Sequence, residues 1–213
     1  MKRNQSGFTL IEIAIVLVII GLLLGGVLKG QELINSAKVK NLASDFKNIA
    51  LFIYSYQDKY HALPGDDALA ASHVTGATTA IGSLGDGKID GKWDTTTNTN
   101  ESFLFWQHVR LSGIAAGVTD ITDTVGYPPR NTTGGRMGVT NSTATDLPIT
   151  NLKGAYIICS TGIVGKFAKQ LDVALDDGNP STGTMMAALP SSSVAAAVAS
   201  PDDSTLYTVC QGV

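Results

Sequence analysis

Hydrophobic and polar positions alternate in three distinct ways along this chain. From Phe8 to Leu28 the sequence reads FTLIEIAIVLVIIGLLLGGVL, 21 residues with Glu12 as the single ionisable group. As a helix rising 1.5 Å per residue this run spans roughly 30 Å, the hydrocarbon thickness of a bilayer. Further on, Val39, Leu42, Phe46, Ile49, Ile53 and Tyr56 recur at spacings of three and four, which is one face of an α-helix. Lys40, Asp45 and Lys47 lie off that stripe. Leu63-Pro64-Gly65-Asp66-Asp67 breaks the pattern, so the helix is expected to run to about Tyr60. The third pattern is strand-like, in Ala155-Tyr156-Ile157-Ile158-Cys159 and Leu206-Tyr207-Thr208-Val209-Cys210.

Between these segments the chain is turn-rich. Residues 64–99 read as loop, and residues 114–150, with Pro128-Pro129 and Gly134-Gly135, read as surface loop with short strands. A second helix is expected from Glu101 to Ser112, with Asn100 as its cap, Glu101 in its first turn and Gly113 at its end. Phe103, Leu104, Phe105, Trp106, Val109 and Leu111 make it apolar nearly all round, so it is buried or faces another subunit. A short helix from Gly165 to Leu175 would place Phe167, Leu171 and Leu175 on one side.

Composition narrows the function classes. The chain has 213 residues, 44% hydrophobic and 15% charged, enough apolar content for a core and too much for a disordered polypeptide. Its formal charge is −3 and its basic residues form no dense stripe, which argues against direct nucleic-acid binding. His61, His73 and His108 lack metal-ligand spacing, and no nucleophile pairs with a base along the sequence, so no enzymatic activity is expected. Gly82-Ser83-Leu84-Gly85-Asp86-Gly87-Lys88 has the spacing of a phosphate loop, but Ile89 replaces the required Ser or Thr and Asp90-Gly91 blocks the following helix.

The apolar run admits three readings. A secretory signal peptide has a shorter core of about 7–15 residues and a small-residue cleavage site after it, whereas this run exits through Lys29-Gly30-Gln31-Glu32. A single-pass anchor fits the length, and Lys2 and Arg3 before it hold the N-terminus in the cytoplasm and send the rest outward. Neither reading explains Glu12. A carboxylate at the centre of a membrane helix costs about 2.5–3.5 kcal/mol on insertion scales, less near the interface, so a cationic partner is expected for it.

Ser6-Gly7-Phe8-Thr9-Leu10-Ile11-Glu12 resembles the cleavage and methylation signature of type IV prepilins and of the related pseudopilins of type II secretion. The resemblance covers residues 1 to about 60 and implies an α+β, pilin-like fold. In that fold a long N-terminal helix, its first half membrane-embedded, packs on a C-terminal antiparallel sheet. It divides the chain into a leader at 1–7, a transmembrane and assembly segment at 8–28, an amphipathic half-helix at 29–60 and a globular head at 61–213. A prepilin peptidase would cut between Gly7 and Phe8 and methylate the new amine of Phe8. Removing Lys2 and Arg3 with the leader shifts the formal charge from −3 to −5.

In the resembling filaments, the glutamate of one subunit meets the N-terminal amine of a neighbour, here Glu12 and Phe8. In a low-dielectric helix bundle an unmatched charge is heavily penalised, so such a pair selects the register of assembly. Gly21, Gly25 and Gly26 would permit close approach or local unwinding, or simply lower helix propensity. The expected partners are further copies and other pilins, the peptidase, the membrane and an inner-membrane pilus or secretion machinery. The expected location is the bacterial inner membrane before assembly and an extracellular or periplasmic filament after it. Adhesion, twitching motility and DNA uptake are the roles the family offers. A pseudopilin of type II secretion is the alternative, and a non-polymerising membrane-anchored binding domain is a second. Many relatives carry proline where this sequence has Lys29, which cannot kink a helix in that way.

Further pieces of the head resemble prepilin-like proteins: LPGDD at 63–67, GDGKIDG at 85–91, Trp106-Gln107-His108 after Glu101, and LDDGNPSTG at 175–183. An exported head meets an oxidising compartment, so Cys159 and Cys210 are expected to pair, the alternative being two buried free thiols. Asp86 and Asp90 are candidate calcium ligands, since some pseudopilins bind calcium in a similarly placed loop. Against an EF-hand starting at Asp86, however, Lys88 fills the third position and Thr97 the twelfth. Solvated turns are the alternative, and no other cofactor is expected.

Overall fold

A computed structural model describes residues 7, 9–143, 147–191 and 194–213. The elements follow in the order α1 (Leu10–Tyr60), α2 (Ala70–His73), α3 (Glu101–Leu111), β1 (Met137–Asn141), β2 (Tyr156–Val164), α4 (Gly165–Leu175), β3 (Met185–Ala188) and β4 (Leu206–Gly212). This is an α+β, pilin-like layout of one long N-terminal helix and a C-terminal four-stranded antiparallel sheet ordered β1-β2-β4-β3. The chain divides into two compact units, Met1–Lys38 and Val39–Val213. The boundary falls inside α1, so the stripe from Val39 onward belongs to the core of the second unit.

In the first unit, α1 runs unbroken through Gly21, Gly25, Gly26 and Lys29. None of these glycines has a neighbour within 4 Å of where a Cβ would stand, so close approach at them is not made within one chain. Lys29 pairs with Glu32 at 2.7 Å on the helix surface.

In the second unit, all six stripe residues from Val39 to Tyr56 are buried. They share one core with Phe103, Leu104, Phe105, Trp106 and Val109 of α3 and with Phe167, Ala168 and Leu171 of α4. The apolar composition of α3 thus has a local explanation, because Glu101 through Val109 are all buried. Asn100 occupies the N-cap position of α3 without a side-chain cap bond, its amide going to Thr95 Oγ1 instead. Gly113 follows the helix with φ 76°, as a C-terminal glycine should.

The sheet separates its two faces by the period-two rule of strands, with β2 shifting register between Ser160 and Ile163 so that its inward positions change parity there. Ile158, Ile163, Tyr207, Val209, Met185 and Ala187 enter the helix-covered core. The alternate positions Ile157, Cys159, Met186, Ala188 and Cys210 form a second cluster with Ile149 and Leu152 on the other face. Cys159 and Cys210 stand directly opposite in the β2·β4 register and are joined by a disulfide.

The LPGDD segment ends α1 as expected, yet it is buried from Leu63 through Asp67. Gly65 adopts φ 96°, and a Cβ there would stand 2.4 Å from the Glu101 carbonyl oxygen. Only glycine allows this turn to lie against the start of α3.

Candidate functional site

Helix α1 begins with a reciprocal cap. Thr9 precedes the first helical residue; its N–H and its hydroxyl both donate to Glu12 Oε2, at 2.9 and 2.7 Å. The Glu12 N–H donates back to Thr9 Oγ1 at 3.3 Å. This is the capping box, in which a Thr at the cap and a Glu three residues on satisfy each other's exposed backbone donors. Gly7 sits exposed just before it, while Phe8, the residue expected to be methylated, lies outside the described residues together with Met1–Ser6. Among the described residues α1 is the one helix long and apolar enough to cross a membrane, and none of its most apolar stretch is buried. Leu10, Leu22 and Leu28 are 93, 73 and 66% exposed. In a single chain, then, an apolar cylinder begins just after an exposed glycine with a carboxylate satisfied by its own helix end.

Polar order in the second unit depends on four buried ionisable residues. Asp66 accepts the N–H groups of Gly85 and Gly87, so the GDGKIDG loop folds around it. Burial still pushes the Asp66 carboxyl above its ordinary value, with those donors opposing. Asp67 accepts from Tyr56 Oη at 2.9 Å and from the Leu69 N–H, and pairs with His73 Nδ1 at 2.8 Å. Burial first, then the bond to Asp67, raises the Tyr56 hydroxyl well above its usual range. Glu101 Oε2 accepts the Asp90 N–H at 2.7 Å, while Oε1 is buried without a donor. Burial, reinforced by the charges of Asp66, Asp90 and Asp86, pushes the Glu101 carboxyl up to about 7. His108 Nδ1 accepts the Gly65 N–H at 2.9 Å, which leaves Nε2 to carry the proton and donate to the Thr78 carbonyl at 2.8 Å. Asp66 ties one loop to another, and Asp67, Glu101 and His108 hold loops to helices.

Asp86 and Asp90, the candidate calcium ligands, each bond within or beside their own loop. The Asp86 carboxylate accepts the Lys88 N–H at 3.0 Å, and Asp90 Oδ1 accepts from Asn141 Nδ2 at 2.8 Å. The same loop runs along strand β1, where Asn141 N–H donates to the Ile89 carbonyl and Thr140 Oγ1 to that of Gly91. Among the described residues, Asp172, Asp176 and Asp177 form the one group of three or more His, Cys, Asp or Glu side chains with ligand atoms within 4.8 Å of one another. Sequence reasoning missed that group, because Asp172 is separated from the acidic pair by the end of a helix.

The family description "Prokaryotic N-terminal methylation motif" matches residues 2–28. The chain carries the N-terminal signature of type IV pilins and pseudopilins, and the motif implies processing by a prepilin peptidase and assembly with other pilins. Comparisons with curated proteins and with solved structures found no match.

Proposed function

We propose that this chain is a structural prepilin subunit of a type IV pilus-like filament, cleaved between Gly7 and Phe8, methylated on the Phe8 amine and polymerised through α1. The supporting observation is the coincidence of the methylation signature at residues 2–28 with an unburied apolar helix whose only ionisable group before Lys29 is Glu12. Such a helix needs hydrocarbon around it, first lipid and then equivalent helices of neighbouring subunits. Cleavage creates the cation that the Glu12 carboxylate of an adjoining subunit meets, and the pair fixes the stagger. On this reading the chain catalyses nothing: it is the substrate of the peptidase and the building block of the polymer. It waits in the inner membrane and is extracted by a separate ATP-driven machine.

The signature is shared with pseudopilins, so the short periplasmic filament of a type II secretion system is the second reading. Gly7→Val should block processing and Glu12→Ala should abolish filaments while leaving membrane insertion intact. A Gly7→Val chain that is still shortened, or a Glu12→Ala chain that still polymerises, overturns the proposal. Electron microscopy with an epitope on the head separates the two readings, long surface fibres marking a pilus and their absence, with periplasmic polymer, a secretion piston.

A further inference from the structure

We propose that Asp172, Asp176 and Asp177 form a calcium site that ties the C-terminal end of α4 to the start of β3. This does not depend on the filament reading, since every group involved lies in the second compact unit.

Asp172 lies on the buried face of α4 beside Phe167, Ala168 and Leu171, and is 1% exposed. Neither of its carboxylate oxygens has a hydrogen-bond partner. A buried carboxylate keeps its charge only if something replaces its water. Its ligand oxygen lies within 4.8 Å of those of Asp176 and Asp177, so the unsatisfied group points into the cluster.

The other two carboxylates are held by the loop they belong to. Asp176 Oδ2 accepts the N–H groups of Thr184 and Met185 at 2.6 and 2.8 Å, which draws the start of β3 back to the helix end. Gly183 has φ 77°, and a Cβ there would stand 2.0 Å from Asp176 Oδ2, so the chain wraps closely around that carboxylate. Asp177 Oδ1 accepts the Asn179 N–H at 2.8 Å and Oδ2 accepts from Thr182 Oγ1 at 2.7 Å. The three groups are therefore prepositioned, with Asp172 buried and Asp177 open to solvent and to water ligands.

Among the described residues no Lys, Arg or His pairs with any of the three, and the last turn of α4 carries no basic residue. A helix C-terminus is itself a partial negative charge and favours a cation there. Burial first, then the charge of Asp177, and also the close approach of the Asp177 carboxyl, push the Asp172 carboxyl up to about 6; the Gly178 N–H opposes this without reaching hydrogen-bond geometry. The donors are all oxygens, which excludes the softer ions that prefer nitrogen or sulfur. An irregular loop supplying carboxylates on one side and water on the other suits the flexible six- to eight-fold shell of calcium better than the strict octahedron of magnesium.

The test is calcium titration by calorimetry on the full chain in detergent micelles after chelator treatment, with thermal unfolding measured in parallel. One calcium per chain is expected, with Kd of about 10⁻⁴–10⁻³ M as in extracellular calcium modules, and calcium should raise the unfolding temperature. Asp177→Asn, on the surface, should weaken binding at least about tenfold, the scale on which loss of a ligand's support is felt. Asp172→Asn should fold without calcium and lose the calcium effect, whereas Asp86→Asn should retain both. If Asp172→Asn does not fold, Asp177→Asn decides. Absence of heat at about 10 mM calcium, well above that affinity range, overturns the site. Binding unchanged in Asp177→Asn overturns it too, as does unfolding that responds to pH through Asp172 but not to calcium, which would mean that a proton fills the cluster.

Discussion

Thr9 and Glu12 satisfy one another across the first turn of α1, both Thr9 donors converging on a single Glu12 oxygen at 2.9 and 2.7 Å. The residue expected to seek a cation on another subunit therefore has work within its own chain first. A carboxylate already bonded to a backbone N–H and a hydroxyl is less costly to hold near the membrane surface than a bare one.

The two roles of Glu12 respond differently to substitution. Glutamine also serves at the third position of a capping box, but carries no charge. Glu12→Gln should keep the helicity and membrane insertion of the chain, measured by circular dichroism in micelles and by membrane fractionation, while sheared filament yield falls to background. Thr9→Ala should do the reverse, costing the helix start about 0.5–2 kcal/mol and leaving filaments. Wild-type filament yield from Glu12→Gln would show that assembly does not use the charge.

The Cys159–Cys210 bond crosses the two central strands and closes a separation of 51 positions. On the chain-entropy account a loop of that size contributes about 4 kcal/mol. The double variant Cys159→Ala/Cys210→Ala should keep the fold, because both side chains sit in an apolar cluster that tolerates alanine, but it should unfold about 5–15 °C lower by circular dichroism. A shift within experimental error would assign the stability to packing alone.

Helices and central strands were legible in the sequence because each carries its own period. The three-four stripe to Tyr56, the apolar run of α3, and the helix beginning at Gly165 all stand within a residue or two of expectation. Strand β3 was not legible: Met185-Met186-Ala187-Ala188 has no β-branched residue, and it becomes a strand by pairing with β4 at Met186↔Cys210. The polar interior was hidden for a different reason. Asp66 and Asp67 look like turn residues, and they do end a helix, but their burial is set by loops that return from Gly85 and Gly87 and by Tyr56 and His73. In the sequence Glu101 is a favourable first-turn charge, whereas its environment comes from the 85–91 loop, whose Asp90 N–H it accepts. Local chemistry announces a turn; only the closed fold decides whether water reaches it.

Glu101 makes the head sensitive to rising pH. Its carboxyl is raised from 4.5 to about 7, so its stability contribution is complete below about 4.5 and is lost as pH climbs through about 7, where the buried group must ionise. Glu101→Gln keeps an acceptor for the Asp90 N–H and has nothing to ionise. The variant should unfold at a higher temperature than the parent at about pH 8 and lose that advantage near pH 4.5, the largest gap being about 3 kcal/mol. A gap constant across that range would remove Glu101 as the cause.

His108 works in the opposite direction. It accepts the Gly65 N–H on Nδ1 and donates from Nε2 to Thr78, a pattern that only the neutral ring can hold. Burial lowers its pKa below 6.5, with the Thr78 carbonyl and Asp67 opposing. The associated stability is fully present above about 6.5 and is lost as pH falls from there toward the depressed folded value, because the unfolded chain takes up the proton first. His108→Gln places an acceptor and a donor at a similar separation but does not titrate. The parent should exceed the variant in unfolding temperature at about pH 8, and the difference should shrink steadily toward about pH 5 as the parent alone pays for excluding a proton. Chemical denaturation at both pH values, with slopes compared, checks this; a difference that stays fixed or widens on acidification would mean that the ring enters the fold already charged, and the Gly65 bond would then have to be reassigned.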